Sequence, residues 1–120
     1  VLLAGLTDAE MDGYLDSYEP KPLTSKTCVN RADLRGEILK AREDGYATTV
    51  DQLDYGITAL AVPIRDADGT TIAALNTSGY TGMVTPRQLV KERLPALRQV
   101  ASHIALQLTR FPTLRSVLSG

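Results

Sequence analysis

The chain of 120 residues has no tryptophan and only one phenylalanine, one histidine and one cysteine. A single cysteine excludes an internal disulfide and favours a reducing compartment. Few aromatic residues and a net charge of −1 without a basic stripe argue against direct nucleic-acid binding. No apolar run approaches the roughly 18 residues of a membrane span, and no secretory leader is visible. These absences favour a cytoplasmic protein with no membrane partner.

Residues that carry chemistry are equally scarce. His103 lies beside Ser102 on an amphipathic pattern, which fits a surface or interface histidine better than a general base. Cys28 has no neighbour in sequence that would activate its thiol. The segment 66–69 has two carboxylates but lacks the glycine and glutamate positions of an EF-hand loop, so it predicts a turn. We therefore expect no catalytic residue, no metal and no cofactor.

Composition and patterning predict one domain with helices on both sides of a strand-rich centre. Hydrophobic residues make up 43% of the chain and charged residues 22%, as in globular proteins. Thr7 begins a capping box and a short helix whose apolar positions are Met11, Tyr14, Leu15 and Tyr18. Asn30 predicts the start of a second helix that ends at Gly45. Thr85-Pro86 begins a long amphipathic helix that reaches Phe111, in which Pro95 predicts a kink or a break.

The central stretch reads as three strands, over residues 46–50, 57–65 and 70–78. Asp66-Ala67-Asp68-Gly69 is typical of a hairpin loop, and a four-residue loop would place Arg65 opposite Thr70. This register pairs Ala61 with Ala74, Ala59 with Asn76 and Ile57 with Ser78. The fold class expected from these elements is α+β, with an antiparallel sheet packed against helices. Residues 1–6 fit either a helix end or a strand, and the residues after Pro112 are expected to be frayed.

Pairing the hairpin gives the sheet two unlike faces. One face receives large apolar residues suited to a core, namely Leu60, Val62, Ile64 and Leu75. The other receives small and polar residues, namely Ala59, Ala61, Ala74, Asn76 and Ser78. Small side chains leave room for a ligand, and Asn76 and Ser78 add hydrogen-bonding groups at one end of that room. Small residues also occur where a helix packs closely on a sheet, so the pattern fits both a pocket and a helix contact.

The same central stretch resembles a known family. Gly45-Tyr46-Ala47, Gly56-Ile57, the run 61–66 (AVPIRD) and the run from Ala73 to Gly79 are similar to the effector-binding domain of IclR-type bacterial transcription regulators. The resemblance covers essentially all 120 residues. It implies a GAF-like antiparallel sheet, of which residues 1–120 are the C-terminal portion with the first strands missing. It also implies a dimer or tetramer that contacts DNA only through a winged helix-turn-helix domain absent from this chain.

The resemblance also implies which residues contact an effector, the small molecule that such regulators sense. The matching positions are Thr49, Ile57, Ala59 and Asn76, and three of them lie on the face derived from the hairpin. With Ser78 from the same face, they form the predicted site. The family commonly has an acidic residue at Thr49, a glutamate at Gln52 and a cysteine or serine at Ala59, so this chain departs from the pattern there.

The runs 52–57 and 76–82 resemble the branch that regulates aromatic-acid catabolism through the β-ketoadipate pathway. That branch implies protocatechuate, hydroxybenzoate or β-ketoadipate as the effector. Two alternatives stay open from the residues themselves. The chain fits a protein-interaction or oligomerisation module without a ligand, supported by the apolar stretch 89–111, or a small enzyme.

Overall fold

The computed structural model describes residues 1–119 and has the expected α+β architecture. A three-stranded sheet follows two helices and precedes two more. The elements are a 3-10 helix (Leu3–Gly5), α1 (Asp8–Ser17), α2 (Arg31–Asp44), β1 (Ala47–Val50), β2 (Ile57–Arg65), β3 (Thr71–Tyr80), α3 (Pro86–Arg110) and α4 (Pro112–Ser119). Among residues 1–119, no helix is both long enough and apolar enough to cross a membrane.

The predicted caps define the start of α1 and both ends of α2. The Thr7 hydroxyl accepts a hydrogen bond from the Glu10 amide at 3.2 Å, and the Glu10 carboxylate accepts the Thr7 amide at 3.1 Å. Asn30 caps α2, and Gly45 ends it at φ 74°, in the left-handed region that glycine tolerates. The predicted apolar face of α1 is only half right. Met11 and Leu15 are buried, whereas Tyr14 and Tyr18 are exposed and their rings stack 5.4 Å apart.

The long C-terminal helix runs through Pro95 as one element, so the expected break is wrong. Proline removes one backbone hydrogen bond, but Leu94 before it and Ala101 after it are buried in the cluster that joins α3 to the sheet. Tertiary packing of this face keeps the helix continuous. The residues after Pro112, predicted to be frayed, form α4, and residues 1–6 contain a 3-10 turn rather than a strand.

The strand order is β1-β2-β3, with both pairs antiparallel. The predicted register of the hairpin is wrong by two residues. Thr70 joins the loop, since Asp66 N–H donates to its carbonyl at 3.0 Å, and a bulge between Ile64 and Arg65 adds one more residue on β3. Ala61 therefore pairs with Asn76 and Ala59 with Ser78. Two one-residue shifts restore the parity of the strand, so the side chains of β3 from Ala73 onward stay on their predicted faces.

The buried residues form two separate clusters. The larger joins β2 to α3 and contains Leu60, Val62, Ile64, Leu89, Leu94, Ala101 and Leu108. The smaller joins α1 to α2 and contains Met11, Leu15 and Ile38. The helix α3 thus covers the sheet face of Leu60, and the opposite face carries the small residues. We call that opposite face, made by Thr49, Ile57, Ala59, Ala61, Ala74, Asn76 and Ser78, the open face.

Candidate functional site

The observed register aligns the predicted site residues in rows across the open face. Thr49 lies opposite Ala59, which lies opposite Ser78, so one row crosses all three strands. Ala61 and Asn76 occupy the next row, together with the first residue of β1. With strands about 4.8 Å apart, each row spans roughly 10 Å. The structure therefore brings Thr49, Ile57, Ala59, Asn76 and Ser78 onto one surface of small-molecule size.

Polar groups border this surface and alanines form its middle. Ala59 and Ala61 on the central strand are half-buried, whereas Thr49, Asn76 and Ser78 on the outer strands are exposed. Within the part of the chain that the structure describes, the side chains of these three polar residues form no hydrogen bond. The open face thus offers an apolar floor with unused donors and acceptors on both sides of it.

The opposite face of the sheet holds the strands in place. The Arg93 guanidinium on α3 donates to the Thr77 hydroxyl at 3.0 Å and to the Ser78 carbonyl at 3.2 Å. These bonds join α3 to the part of β3 that carries Asn76 and Ser78 on its other side. The polar side chains of the open face therefore project from a strand that is fixed from behind.

A cleft of about 660 Å³ lies next to this surface, between α1, α2, the edge strand β1 and the first turn of α3. Its walls combine apolar, aromatic and charged residues, including Leu15, Ile38, Val90, Tyr14, Tyr18 and Arg87. Thr49 lines the cleft, but Ile57, Ala59, Asn76 and Ser78 do not. The sequence pattern missed this cleft. The one indication of it in the sequence is the pair Tyr14 and Tyr18. Their four-residue spacing also fits a buried helix face, and so it did not point to a cleft.

A second set of residues that the pattern missed lies at the end of the sheet where β1 turns into β2. Asp51 has φ 56° and is the one residue other than glycine with a positive φ among those described. Its carboxylate accepts the Gly56 amide at 2.9 Å and the Thr81 hydroxyl at 2.7 Å. The fully buried Thr58 hydroxyl lies 2.9 Å from that of Thr81, and since Thr81 donates to Asp51, Thr58 donates to Thr81.

The same turn holds the loop between α1 and α2. The Thr24 hydroxyl donates to the Asp51 carbonyl and the Thr27 hydroxyl to the Gln52 carbonyl, and Thr24 is almost fully buried. The Cys28 amide donates to the Gln52 side chain at 3.3 Å. The loop of residues 24–28 is therefore attached to the turn by several hydrogen bonds.

Titratable groups near the turn have shifted pKa values with evident causes. Burial, followed by the negative charges of Glu37 and Asp33, raises the pKa of the Cys28 thiol, which disfavours the reactive thiolate. Hydrogen bonds with Ser25 lower the pKa of the exposed Tyr55 hydroxyl. His103 and Ser102 are exposed on α3. Among the described residues, no group of three His, Cys, Asp or Glu side chains could hold a metal ion.

Comparison with known proteins defines the class of this domain. Residues 1–106 match the family described as the C-terminal region of the bacterial transcriptional regulator IclR. The chain therefore belongs to the IclR C-terminal family. The resemblance inferred from the central stretch is confirmed.

Two relatives of this chain are named as regulatory proteins. The chain is 34% identical to the Pca regulon regulatory protein of Pseudomonas putida, over 90% of this chain and 37% of the relative. It is 32% identical to the p-hydroxybenzoate hydroxylase transcriptional activator of Acinetobacter baylyi, over 87% of this chain and 38% of the relative. This chain thus spans less than half the length of these curated relatives.

A solved structure of similar fold contains a bound aromatic acid. It is a double mutant of the inducer-binding domain of the PobR transcription factor from Acinetobacter, in complex with 3-hydroxybenzoic acid. The TM-score is 0.81 at 31% identity, with 87% of this chain and 59% of that chain covered. A relative with a similar fold thus binds a small aromatic acid.

Proposed function

We propose that this chain is the effector-sensing part of a transcription regulator and binds a small carboxylate or aromatic acid on the open face. The observation that carries the proposal is the row Thr49–Ala59–Ser78 with Asn76 beside it. These residues combine an alanine floor with three polar side chains that have no intramolecular hydrogen bond among residues 1–119. Small-molecule sites typically have this combination of apolar area and a few unpaired polar groups.

Protocatechuate, hydroxybenzoate and β-ketoadipate are the proposed effectors. The support comes from relatives named for the pca regulon and for p-hydroxybenzoate hydroxylase, and from the relative solved with 3-hydroxybenzoic acid. An aromatic ring fits the flat floor of Ala59 and Ala61. The hydroxyls of Thr49 and Ser78 and the amide of Asn76 donate hydrogen bonds to a carboxylate, each of which is stronger than a bond between neutral groups.

Two roles that extend beyond this chain belong to the same proposal. Binding shifts the packing of the domain within a dimer or tetramer, and this shift changes DNA binding by the intact regulator through a separate DNA-binding domain. The site of action is then the cytoplasm. A catalytic role is disfavoured because the open face has no nucleophile beside a base, and the one histidine lies exposed on α3.

Isothermal titration of the purified chain with 4-hydroxybenzoate, protocatechuate and β-ketoadipate tests the proposed ligand class. We expect at least one of them to bind, and acetate at the same concentration to serve as the control for nonspecific carboxylate binding. If none of the three binds, the aromatic-acid assignment is wrong.

Ala59→Leu tests the location. Leucine fills the floor between Thr49 and Ser78, so binding is lost while the chain stays folded. Ala74→Leu is the matched control, because residue 74 is exposed on the same face but lies beyond the Asn76 row, toward the hairpin loop. Equal affinities of Ala59→Leu and the unaltered chain would show that the open face is not the site.

A further inference from the structure

The turn that joins β1 to β2 connects three segments that are distant in sequence. Asp51 belongs to this turn. Its carboxylate accepts a hydrogen bond from the hydroxyl of Thr81, just after β3, and its backbone carbonyl accepts one from the hydroxyl of Thr24. The Thr81 amide in addition donates to the Gly56 carbonyl at 2.8 Å. One residue thus joins the loop of residues 24–28, the turn and the end of β3.

These contacts lie at the ends of the strands that carry the open face. Thr49 is two residues before Asp51 on β1, and the Asp51 amide donates to the Ile57 carbonyl at the start of β2, at 2.9 Å. Ser78 is three residues before Thr81 on β3. Any change in the spacing of these three strand ends is therefore transmitted to Asp51 through one or two residues of extended backbone.

We propose that Asp51 is a positioning residue that couples effector binding on the open face to the loop of residues 24–28. The inference rests on the proposed function. Asp51 fixes the strand ends at the spacing that the effector needs, and the loop is held in place by the same turn. A bound effector consequently tightens the loop, and loss of the Asp51–Thr81 bond weakens effector binding.

The positive φ of Asp51 guides the choice of variants. Asp51→Gly tolerates this backbone conformation but loses the acceptor, and Asp51→Asn tolerates it and keeps an acceptor oxygen. Thr81→Val has little change in shape but removes the donor to Asp51 and the acceptor for the buried Thr58 hydroxyl, whereas Thr81→Ser retains both. Asp54→Asn is the matched control, since Asp54 belongs to the same turn and its exposed carboxylate forms no hydrogen bond within residues 1–119.

Cys28 supplies a direct readout of the loop. It is the only cysteine of the chain, its amide donates to the side chain of Gln52 in the turn, and its side chain is partly accessible. The rate of its reaction with a disulfide reagent is measured with and without saturating 4-hydroxybenzoate or protocatechuate. If Asp51 had a merely structural role, the rate in the Asp51 variants would depend on the ligand as it does in the unaltered chain.

The expected result is a several-fold slower reaction of Cys28 in the presence of the ligand. In Asp51→Gly and Thr81→Val we expect this dependence to disappear and affinity to fall about tenfold, as for the loss of one hydrogen bond to a charged group. Asp51→Asn, Thr81→Ser and Asp54→Asn retain both properties.

Two results would overturn the inference without touching the proposed function. One is an acid that binds the unaltered chain but leaves the Cys28 rate unchanged, a measurement that needs no variant to fold. The other is unchanged affinity in Asp51→Gly and Thr81→Val. If no acid binds the unaltered chain, the proposed function itself fails.

Discussion

The two faces of this sheet are made by alternate residues of the same strands but differ in what they do. Leu60, Val62 and Ile64 point toward α3 and are at most 5% exposed. Their neighbours Ala59 and Ala61 point the other way. Ala59 lies between the exposed Thr49 and Ser78, and Ala61 lies beside the exposed Asn76. The first set supplies three of the seven buried residues of the larger core, whereas the second set contributes little apolar area.

This difference separates stability from binding along one strand. Large apolar residues on the α3 face stabilise the sheet. The open face can therefore carry small residues, which would contribute little to a core. Changes on the α3 face are therefore expected to alter unfolding, and changes in the Thr49 and Asn76 rows of the open face to alter ligand binding. The predictions below test this separation, starting with the largest expected effect.

Leu60→Ala is expected to have the largest effect. Leu60 is completely buried, so truncation leaves a cavity between β2 and α3 and lowers the free energy of unfolding by about 2–5 kcal/mol. Urea denaturation followed by circular dichroism measures it. Thr49→Ala, on the other face of the sheet and exposed, is the control and should stay within about 0.5 kcal/mol of the unaltered chain. Similar losses for both variants would contradict the division of roles.

Gly79→Ala tests the same contrast at adjacent positions of β3. A Cβ at residue 79 would lie 2.7 Å from a methyl group of Val84, which packs against the larger core. The resulting overpacking should lower the free energy of unfolding by about 1–3 kcal/mol.

Ser78→Ala is the control for this experiment, since residue 78 points to the open face and its hydroxyl forms no hydrogen bond among the described residues. A change within about 0.5 kcal/mol is expected in thermal and urea unfolding. A tolerated alanine at residue 79 would mean that Val84 moves aside without loss of packing.

Asn76→Ala tests the open face by binding rather than by stability. Asn76 is exposed and its amide is unpaired within residues 1–119, so the free energy of unfolding should hardly change. If the proposed function is right, loss of a donor to the effector carboxylate weakens binding about tenfold. Titration with 4-hydroxybenzoate measures the affinity, and Asp54→Asn, an exposed position in the turn outside the open face, is the control. An unchanged affinity would remove Asn76 from the site.

Much of the fold follows from the sequence, because alternation along β2 and the predicted helix starts at Thr7 and Thr85 depend on local chemistry. The register was not predictable in this way. The extra residue at Thr70 and the bulge near Ile64 depend on how the loop closes. Each shifts the register by one residue in the same direction, and only their sum, an even number, preserved the predicted faces.

The position of Asp51 was also beyond prediction. Its bond to Thr81 joins residues 30 positions apart, and a hydrogen bond between such distant residues has no periodicity that a sequence could reveal. The same holds for the cleft beside Thr49, which depends on where α1 and α2 lie against β1. By contrast, the continuous α3 could have been inferred from its apolar stripe had Pro95 been weighed against the burial of Leu94.

The smallest effect is expected outside the sheet, where the contrast between its faces should not apply. Arg42 on α2 donates to the Asp8 carboxylate at 2.6 Å, and this pairing lowers the pKa of Asp8. Since the folded-state pKa lies below the unfolded one, the stabilisation is present above the unfolded aspartate pKa and disappears as the pH falls through the folded value. Asp8→Asn should therefore lower the melting temperature slightly at pH 7, because the pair is solvent-exposed, and not at all in strong acid. Melting curves against pH, with Asp54→Asn as the exposed control, measure this difference. If the melting temperature of Asp8→Asn stays below that of the unaltered chain at low pH, the cause is a change at the start of α1 rather than the loss of the charge pair.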